Sequence, residues 1–417
     1  MPEKFLGYKC SLCGTQYLPS QVTYTCPKDG GNLDVVLDIA ALRRDLQPSK
    51  IMSTAEPSIW RYLPVLPVVD PKGYGTPLHA AGWTPAFKPP RLAEDLGLHN
   101  LWLKDESRNP TASFKDRASA VVVGRALEMG AGVVVTASTG NAGAALAGMS
   151  AALNQKAVIL APKTAPPAKI AQLLIFGAQV LLVDGTYDDA FDLSVQAANE
   201  FNWYCRNTGY NPFTAEGKKT AAFEIWEQII APGGTWKSGK PLAVFASVGD
   251  GNIISGIHKG FKDLHALGWL EQMPRLFGVQ AEGSAAIANA YLSGVETIVP
   301  VSAQTLADSI SVDLPRDGVR AVRAARETGG TYILVSDQEI LRAIAVLGKV
   351  GIFAEPAGAT AYAGLVKAVK DGIITPNDPV VVINTGSGLK DVKAAMQAAG
   401  EAVVIEPTLD ALKRVIK

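Results

Sequence analysis

The sequence, 417 residues long, lacks a surplus of either charge: Lys and Arg total 39, Asp and Glu total 39, and only four His are added. Without a basic surplus there is no global field to draw in nucleic acid or an anionic membrane surface, and both readings fall. Charge of any sign is scarce at 19%, while apolar residues reach 48%, which excludes disorder and coiled coil. Long apolar runs are missing as well: stretches such as 142–153 are short or broken by Ser, Asn and Gly, against the roughly 20 residues that a span requires. Mean hydropathy is still slightly positive, so the expectation is a soluble protein with a large core. Residues 1–9 carry no charged-then-apolar leader, and a cytoplasmic, reducing location follows as the expectation. Cysteine agrees with it: there are four, three of them within the first 26 residues, and a disulfide framework needs them paired and distributed.

Several chemistries are excluded by missing motifs. The four His (His79, His99, His258, His265) make no ligand pair at helical spacing, no G-x-S-x-G elbow is present, and no G-x-x-x-x-G-K-[ST] loop exists. Metallohydrolase, serine hydrolase and ATP-binding readings lose their support. Cys205 reads as a small buried apolar residue.

At roughly 100 to 200 residues per domain, the length predicts two domains, or three if one is small. Residues 1–36 stand apart. Cys10-Ser11-Leu12-Cys13-Gly14 and Cys26-Pro27-Lys28-Asp29-Gly30-Gly31 resemble the two knuckles of a zinc ribbon, where each turn ends in Gly because the chain doubles back around the metal. The second knuckle offers Asp29 in place of a fourth Cys, a weaker match to a thiolate-rich structural site. Two readings stay open. Cys10, Cys13, Cys26 and Asp29 hold zinc, or a metal-free ribbon keeps its fold through Tyr8, Tyr17, Leu18, Tyr24 and Leu33; the second is preferred.

Residues 37–100 are rich in Pro and read as irregular chain wrapping over the body. From residue 118 onward, apolar runs at 133–136, 157–160, 180–183, 243–246, 276–279, 332–335 and 380–383 alternate with helix-compatible stretches. Such runs are strands of parallel sheets buried on both faces. The fold class is α/β, with two doubly wound open sheets and the small N-terminal zinc-ribbon-like segment. A large α/β domain is expected from 37–117 and 243–417, and a small one from 118–242.

Ligands of such sheets bind beyond the carboxyl ends of the strands. Three loops qualify. Ser138-Thr139-Gly140-Asn141-Ala142-Gly143 follows a strand and opens a helix, where free N–H groups bind an anion. Ser247-Val248-Gly249-Asp250-Gly251-Asn252 repeats the arrangement but lacks the third Gly of the dinucleotide fingerprint. Asn384-Thr385-Gly386-Ser387-Gly388-Leu389-Lys390 ends the 380–383 strand with small and hydroxylated residues. Joining them is Asn109-Pro110-Thr111-Ala112-Ser113-Phe114-Lys115-Asp116-Arg117. Lys115 starts a helix read over 116–129, whose dipole tends to depress the amine pKa and leave it nucleophilic. A Schiff-base lysine is physically plausible there.

The ordered set N-P-T-x-S-F-K-D-R, S-T-G-N, V-G-D-G-N, E-P-A-x-A and T-G-x-G-L-K, spread over about residues 75–395, resembles the threonine synthase family of fold-type II pyridoxal-phosphate enzymes. The resemblance implies a cofactor cleft between the two sheets, with pyridoxal 5′-phosphate bound to Lys115, which would also remove the substrate's Cα proton. It implies that Phe114 backs the pyridine ring, Asn141 meets its 3-oxygen, Thr385 faces its nitrogen, and Gly249, Asp250, Gly251 and Asn252 hold the phosphate. Ser138, Thr139 and Gly140 would take the α-carboxylate of a small amino-acid substrate. A homodimer is implied by the same likeness.

The implied reaction converts O-phosphohomoserine and water to L-threonine and phosphate, and so needs a second phosphate site. Typical members resemble N-S-x-N-P-x-R-x-E-G there, with a Thr after S-T-G-N. This chain has Thr214 in the Arg position, Ala142 in the Thr position, and Ser387 where the family's T-G-H-G carries His. Lys104, Arg108, Arg206, Lys218 and Lys219 are the cations that could compensate, and Lys218 and Lys219 are the first choice, with Lys218 expected to bind substrate. The alternative reaction is a β-elimination or β-replacement by the same cofactor on a hydroxyamino acid or O-phosphoserine, as in threonine or serine dehydratases and cysteate synthases. A third reading, a ribbon-bearing binding protein on an inactive enzyme fold, is opposed by the intact Lys115, Asn141 and Thr385.

Overall fold

The computed structural model describes residues 2–165, 167–233 and 239–416. Its strands are β1 (Phe5–Cys10), β2 (Gln16–Tyr17), β3 (Leu33–Leu37), β4 (Ala86–Phe87), β5 (Asn100–Asp105), β6 (Val133–Ala137), β7 (Lys156–Pro162), β8 (Gln179–Val183), β9 (Tyr204–Cys205), β10 (Ala243–Ser247), β11 (Arg275–Ala281), β12 (Tyr332–Val335) and β13 (Pro379–Asn384). They form three sheets, ordered β2-β1-β3, β12-β11-β10-β13-β5-β4 and β8-β7-β6-β9. The ribbon sheet is antiparallel. The four-stranded sheet is parallel throughout. The six-stranded sheet is parallel except for β4, which pairs antiparallel at the edge.

All seven apolar runs lie in parallel strands. The expectation of burial on both faces fails for β8, where Leu181 and Leu182 are exposed, because β8 is an edge strand with a partner on one side only. The Pro-rich stretch carries short helices at Ile39–Asp45, Pro48–Met52 and Pro90–Asp95, and a strand outside the seven runs, β5, begins where it ends. β5 runs inside the six-stranded sheet, in register with β13 from Asn100↔Pro379 to Asp105↔Asn384. Leu101, Trp102 and Leu103 are buried there.

Among three helices, Lys115–Glu128, Phe213–Ile225 and Asn252–Ala266, the second packs against both of the others. The first two touch backbone to backbone: a β-carbon on Gly217 would lie 2.1 Å from the Arg117 carbonyl oxygen. Glycine permits that approach, and the approach brings the start of each helix to the same place.

The ribbon docks on this layer. Phe5 and Tyr8 set their rings edge-on to Phe213 at 5.9 and 6.4 Å, and Tyr24 stacks on Tyr210 at 4.7 Å. Tyr8 and Leu33 are core residues, as the metal-free reading expects, but Leu18 is exposed, and Phe5, Val35 and Leu37 fill the space instead. Cys205 is fully buried, which pushes its thiol up to about 12. No helix among the described residues is long and apolar enough to cross a membrane.

Candidate active site

The loops after β6, β10 and β13 converge on the start of the Lys115–Glu128 helix. The segment before that helix is zipped to the β13 loop: Phe114 N donates to Thr385 O at 2.9 Å, Ser387 N to Ala112 O at 3.1 Å, and Ser113 bridges Gly386. Inside the turn, Asp116 accepts from Thr111 N at 2.6 Å and from Thr111 Oγ1 at 2.5 Å. Asn109 accepts from Gly82 N and donates to Glu106, each at 2.8 Å. The N-P-T-x-S-F-K run is therefore a backbone brace that fixes where the Lys115 amine points.

A narrow chamber of about 40 Å³ is lined by Phe114, Lys115, Asn141, Thr385, the 247–253 loop, Ser309, Ile310, Glu355 and Ala357. Beside it lies a wider cavity of about 340 Å³, lined by Thr139, Gly140, Lys169, Gln172, Asp308 and Lys390 among others. The two share Asn141, Ser309, Glu355 and Ala357. Residues 249–252, which line the narrow chamber, lead into the start of the Asn252–Ala266 helix, whose free backbone N–H groups suit an anion. Gly251 caps that helix at φ 87°, and a β-carbon there would meet Asp317 O and Ala321 Cβ at 2.7 Å.

The amine of Lys115 has a depressed pKa, first because burial strips its hydration. Desolvation, rather than the helix dipole expected from the sequence, is the leading cause. Among the described residues no hydrogen bond to that amine is formed, and the groups around it that act on its charge are Asp250, Arg206 and Glu355. Asp250 and Glu355 are both pushed up by burial, Glu355 to about 7. A buried amine with a lowered pKa, next to a glycine-rich loop at a helix start, a buried aromatic ring, an amide and a hydroxyl, fits pyridoxal phosphate at each functional group it carries.

Of the residues singled out from sequence, Phe114, Lys115, Asn141, Gly249, Asp250, Gly251, Asn252 and Thr385 line the narrow chamber. Thr139 and Gly140 line the wide one, whereas the Ser138 hydroxyl turns inward and accepts from Gly140 N at 3.2 Å. Lys218 is not beside the Ser138–Gly140 loop. Its amine donates to Asn252 Oδ1, which Thr214 Oγ1 also reaches, at 3.1 Å. That places it against the 247–252 loop and outside the lining of both cavities, whereas the sequence expected it to bind substrate in place of the missing Arg. Asn141 donates to Glu355 Oε1 at 2.7 Å. Glu355 was visible in the sequence only as part of E-P-A-x-A, without a role. Ser309, Lys169 and Lys390 were not singled out; Lys169 and Ser309 carry no local motif, and Lys390 lay unremarked in T-G-x-G-L-K. In the ribbon, the ligand atoms of Cys10, Cys13, Cys26 and Asp29 lie within 4.8 Å of one another, and Cys13 and Cys26 set their sulfurs 3.8 Å apart.

Two open parallel sheets with an amine, an anion cradle and a ring-sized cleft at their carboxyl ends define a cofactor-dependent enzyme of fold-type II. Residues 78–386 match the family described as pyridoxal-phosphate dependent enzyme, and the chain belongs to it. Over nearly its whole length it belongs to the threonine synthase branch. It is 38% identical to threonine synthase of Methanocaldococcus jannaschii over 412 residues, 98% of this chain and 99% of that one. It is also 38% identical to threonine synthase of Methanosarcina acetivorans, covering 98% of each. Among solved structures, the processed form of threonine deaminase isoform 2 from Solanum lycopersicum superposes with a TM-score of 0.65 at 25% identity, over 79% of this chain and 92% of that one. The protein is thus a pyridoxal-phosphate-dependent lyase of threonine synthase type.

Proposed function

We propose that the chain converts O-phosphohomoserine and water to L-threonine and phosphate. Carrying this reading is the joining of the Lys115 amine, the 247–252 cradle and the Thr139–Gly140 carboxylate loop in one pair of connected cavities, in a chain alike end to end to threonine synthases. Pyridoxal phosphate, when bound, supplies the electron sink that acidifies the protons at Cα and Cβ. Thr139 and Gly140 bind the α-carboxylate at the N-terminus of the Asn141–Ala152 helix. Lys115 takes the Cα proton, and its low amine pKa, set by burial, keeps it able to accept one. The net change removes one Cβ proton and delivers one to Cγ, breaks the Cγ–O bond to release phosphate, and adds water at Cβ, its hydroxyl to the carbon and its remaining proton to the released phosphate. Thr385 presents a hydroxyl, not a carboxylate, where the ring nitrogen would lie, and Asn141 is positioned to exchange Glu355 for the ring oxygen. The domain division at 117/118 and 242/243 follows the sheet membership of β5, β6, β9 and β10. Cys10, Cys13, Cys26 and Asp29 form a four-ligand zinc site in this reading; their convergence supports it over the metal-free ribbon preferred from sequence.

A substrate panel tests the reaction. Purified holoenzyme is expected to release phosphate from O-phosphohomoserine and form threonine. Formation of a 2-oxo acid from threonine or serine, with no phosphate release from O-phosphohomoserine, would establish the eliminating alternative instead.

A further inference from the structure

The proposed reaction moves protons at Cα, Cβ and Cγ, and Lys115 lines the narrow chamber alone. Once that amine has taken the Cα proton, it is no base for another until it gives the first one up. With its α-carboxylate at Thr139 and Gly140, the substrate lies partly in the wide cavity. A second group able to hold a proton is needed where the two cavities meet.

The carboxyls and amines around the cavities narrow the choice. Asp308 is exposed and paired with Lys169. Asp391 caps the Val392–Ala399 helix, accepting from Ala394 N at 3.0 Å. Asp250 lines the narrow chamber only. Lys390 lines the wide cavity only, its amine 3.3 Å from Gln172 Oε1. Glu355 lines both.

Its surroundings set the carboxyl in that place. Glu355 precedes the Pro356–Lys370 helix, yet its side chain forms no capping bond to it. It turns into the cavities instead, where it is buried and accepts from Asn141 Nδ2 at 2.7 Å. Gly386 leaves room for it, since a β-carbon there would overlap Glu355 Oε1. The backbone locks the two together: Glu355 N donates to Gly386 O at 3.1 Å. Burial raises the proton affinity of the carboxyl, and the charges of Lys390, Lys169 and Lys115 oppose the rise. The balance falls at about 7, where one carboxyl can both take and give a proton. When Asn141 turns to the cofactor's ring oxygen, Oε1 is freed for the substrate.

We propose that Glu355 is the second acid–base residue of the site, carrying a proton from Cβ to Cγ of the substrate. As a carboxylate it takes the Cβ proton, and the C–H electron pair stays on the carbon chain while the Cγ–O pair leaves with phosphate. As a carboxylic acid it then gives that proton to Cγ and is a carboxylate again. No electron is gained or lost, and the transfer draws no proton from solvent. The role rests on the proposed function for the leaving phosphate, whereas proton removal at Cβ needs only an amino acid with a Cβ hydrogen.

The test gives holoenzyme L-2-aminobutyrate, the same carbon chain without the phosphate ester, in D2O, and follows exchange at Cα and Cβ by proton NMR. Wild type is expected to exchange both. In Glu355→Gln, Cβ exchange is expected to slow by roughly 10²- to 10⁴-fold, with Cα exchange and cofactor affinity by equilibrium dialysis as in wild type. Glu355→Asp should recover part of the Cβ rate. Loss of Cα and Cβ exchange together would mark a structural role, and unchanged Cβ exchange would leave Glu355 without one in catalysis. Either result overturns the proposal, as does wild type that exchanges Cα alone. Should Glu355→Gln not fold, Lys390→Met removes a cation that holds the Glu355 pKa down. The onset of Cβ exchange should then move to higher pH, and an unmoved profile counts against the proposal. Cofactor-free protein gives a readout independent of turnover. An infrared carboxylic-acid band present in wild type and missing from Glu355→Gln should fade as pH rises through about 7; identical spectra would show that this carboxyl holds no proton to give. Wild type that exchanges Cβ but releases no phosphate from O-phosphohomoserine defeats the proposed substrate and leaves Glu355 as the base at Cβ.

Discussion

Arg117 sets two guanidinium nitrogens on the Glu224 carboxylate, Nη1 on Oε1 at 2.5 Å and Nη2 on Oε2 at 2.7 Å, with neither side chain exposed to solvent. The same guanidinium reaches Glu106 through Nε and Nη2, both at 2.7 Å. Lys104 closes the set on Glu224 at 2.6 Å. Two cations and two carboxylates therefore cancel in the interior, and they tie β5, the Lys115–Glu128 helix and the Phe213–Ile225 helix together. Removing one member leaves an uncompensated buried charge, which is far more costly than the net value of the intact set.

Arg117→Met is accordingly expected to lose about 3–5 kcal/mol of stability. Arg117→Lys recovers little, because an ammonium cannot serve two carboxylates in fork geometry. Adding Glu224→Leu to Arg117→Met restores the charge balance, so the double variant should cost less than the sum of the two single ones. Urea unfolding of the four proteins measures the coupling; additive costs would show that the ion pair contributes nothing beyond its separate halves.

Glu355 carries a pH signature. Its pKa is lifted from 4.5 to about 7, first by burial, with Lys390 and the Asn141 hydrogen bond pulling against that rise. A carboxyl that binds its proton more tightly folded than unfolded makes stability fall as pH rises, here between about 4.5 and 7. Asp116, lifted to about 6 by burial, adds the same sign over a lower window. Ligand-free Glu355→Gln is expected to show a flatter decline across that range and to gain on the order of 3 kcal/mol over wild type above pH 7, as an upper bound. Parallel pH profiles for the two proteins in urea midpoints would mean that Glu355 does not titrate there.

Gly251 tests the phosphate cradle. With φ at 87° and only 2.7 Å between a would-be β-carbon and Asp317 O, Gly251→Ala has both a conformational and a steric cost. Cofactor affinity in this variant should drop about tenfold or more while the ligand-free protein loses about 1–2 kcal/mol. Dialysis against graded pyridoxal phosphate resolves the first and unfolding the second. A variant that holds cofactor like wild type would show that the loop amides are not the seat.

Much of this site is legible in the chain because its chemistry is local. Phe114 and Lys115 are adjacent, Gly249 to Asn252 are contiguous, and each loop sits between an apolar run and a helix start, so period and turn residues locate them. β5 was less visible: Leu101-Trp102-Leu103 is a short run after a Pro-rich stretch, and its depth comes from pairing with β13, 279 residues later at Asp105↔Asn384. The partner of Lys218, Asn252, lies on another helix, so sequence could name the cation without placing it. Glu355 was seen as a motif letter; only the fold brings it to Asn141.

The ribbon offers the last prediction. For tetrahedral zinc with bonds of about 2.3 Å, two thiolates stand roughly 3.8 Å apart, the separation found between Cys13 and Cys26. Cys10 Sγ lies 3.3 Å from Asp29 Oδ1, completing the tetrad with an oxygen. Purified protein is expected to carry about one zinc per chain by metal analysis, Cys13→Ser to lose it, and Asp29→Cys to hold it more tightly against a chelator, since thiolate is the softer ligand. The loss should be felt at a distance. Asp34 of the ribbon binds Arg320 at 2.7 Å, Arg320 grips Asp317, and Asp317 accepts from Asn252 Nδ2 at 2.6 Å in the phosphate loop. Stripping the metal loosens the first link of that chain, so cofactor affinity should fall in Cys13→Ser and in chelated wild type by the same factor. Metal-free protein that binds pyridoxal phosphate as tightly as the zinc form would confine the ribbon to a role outside the site.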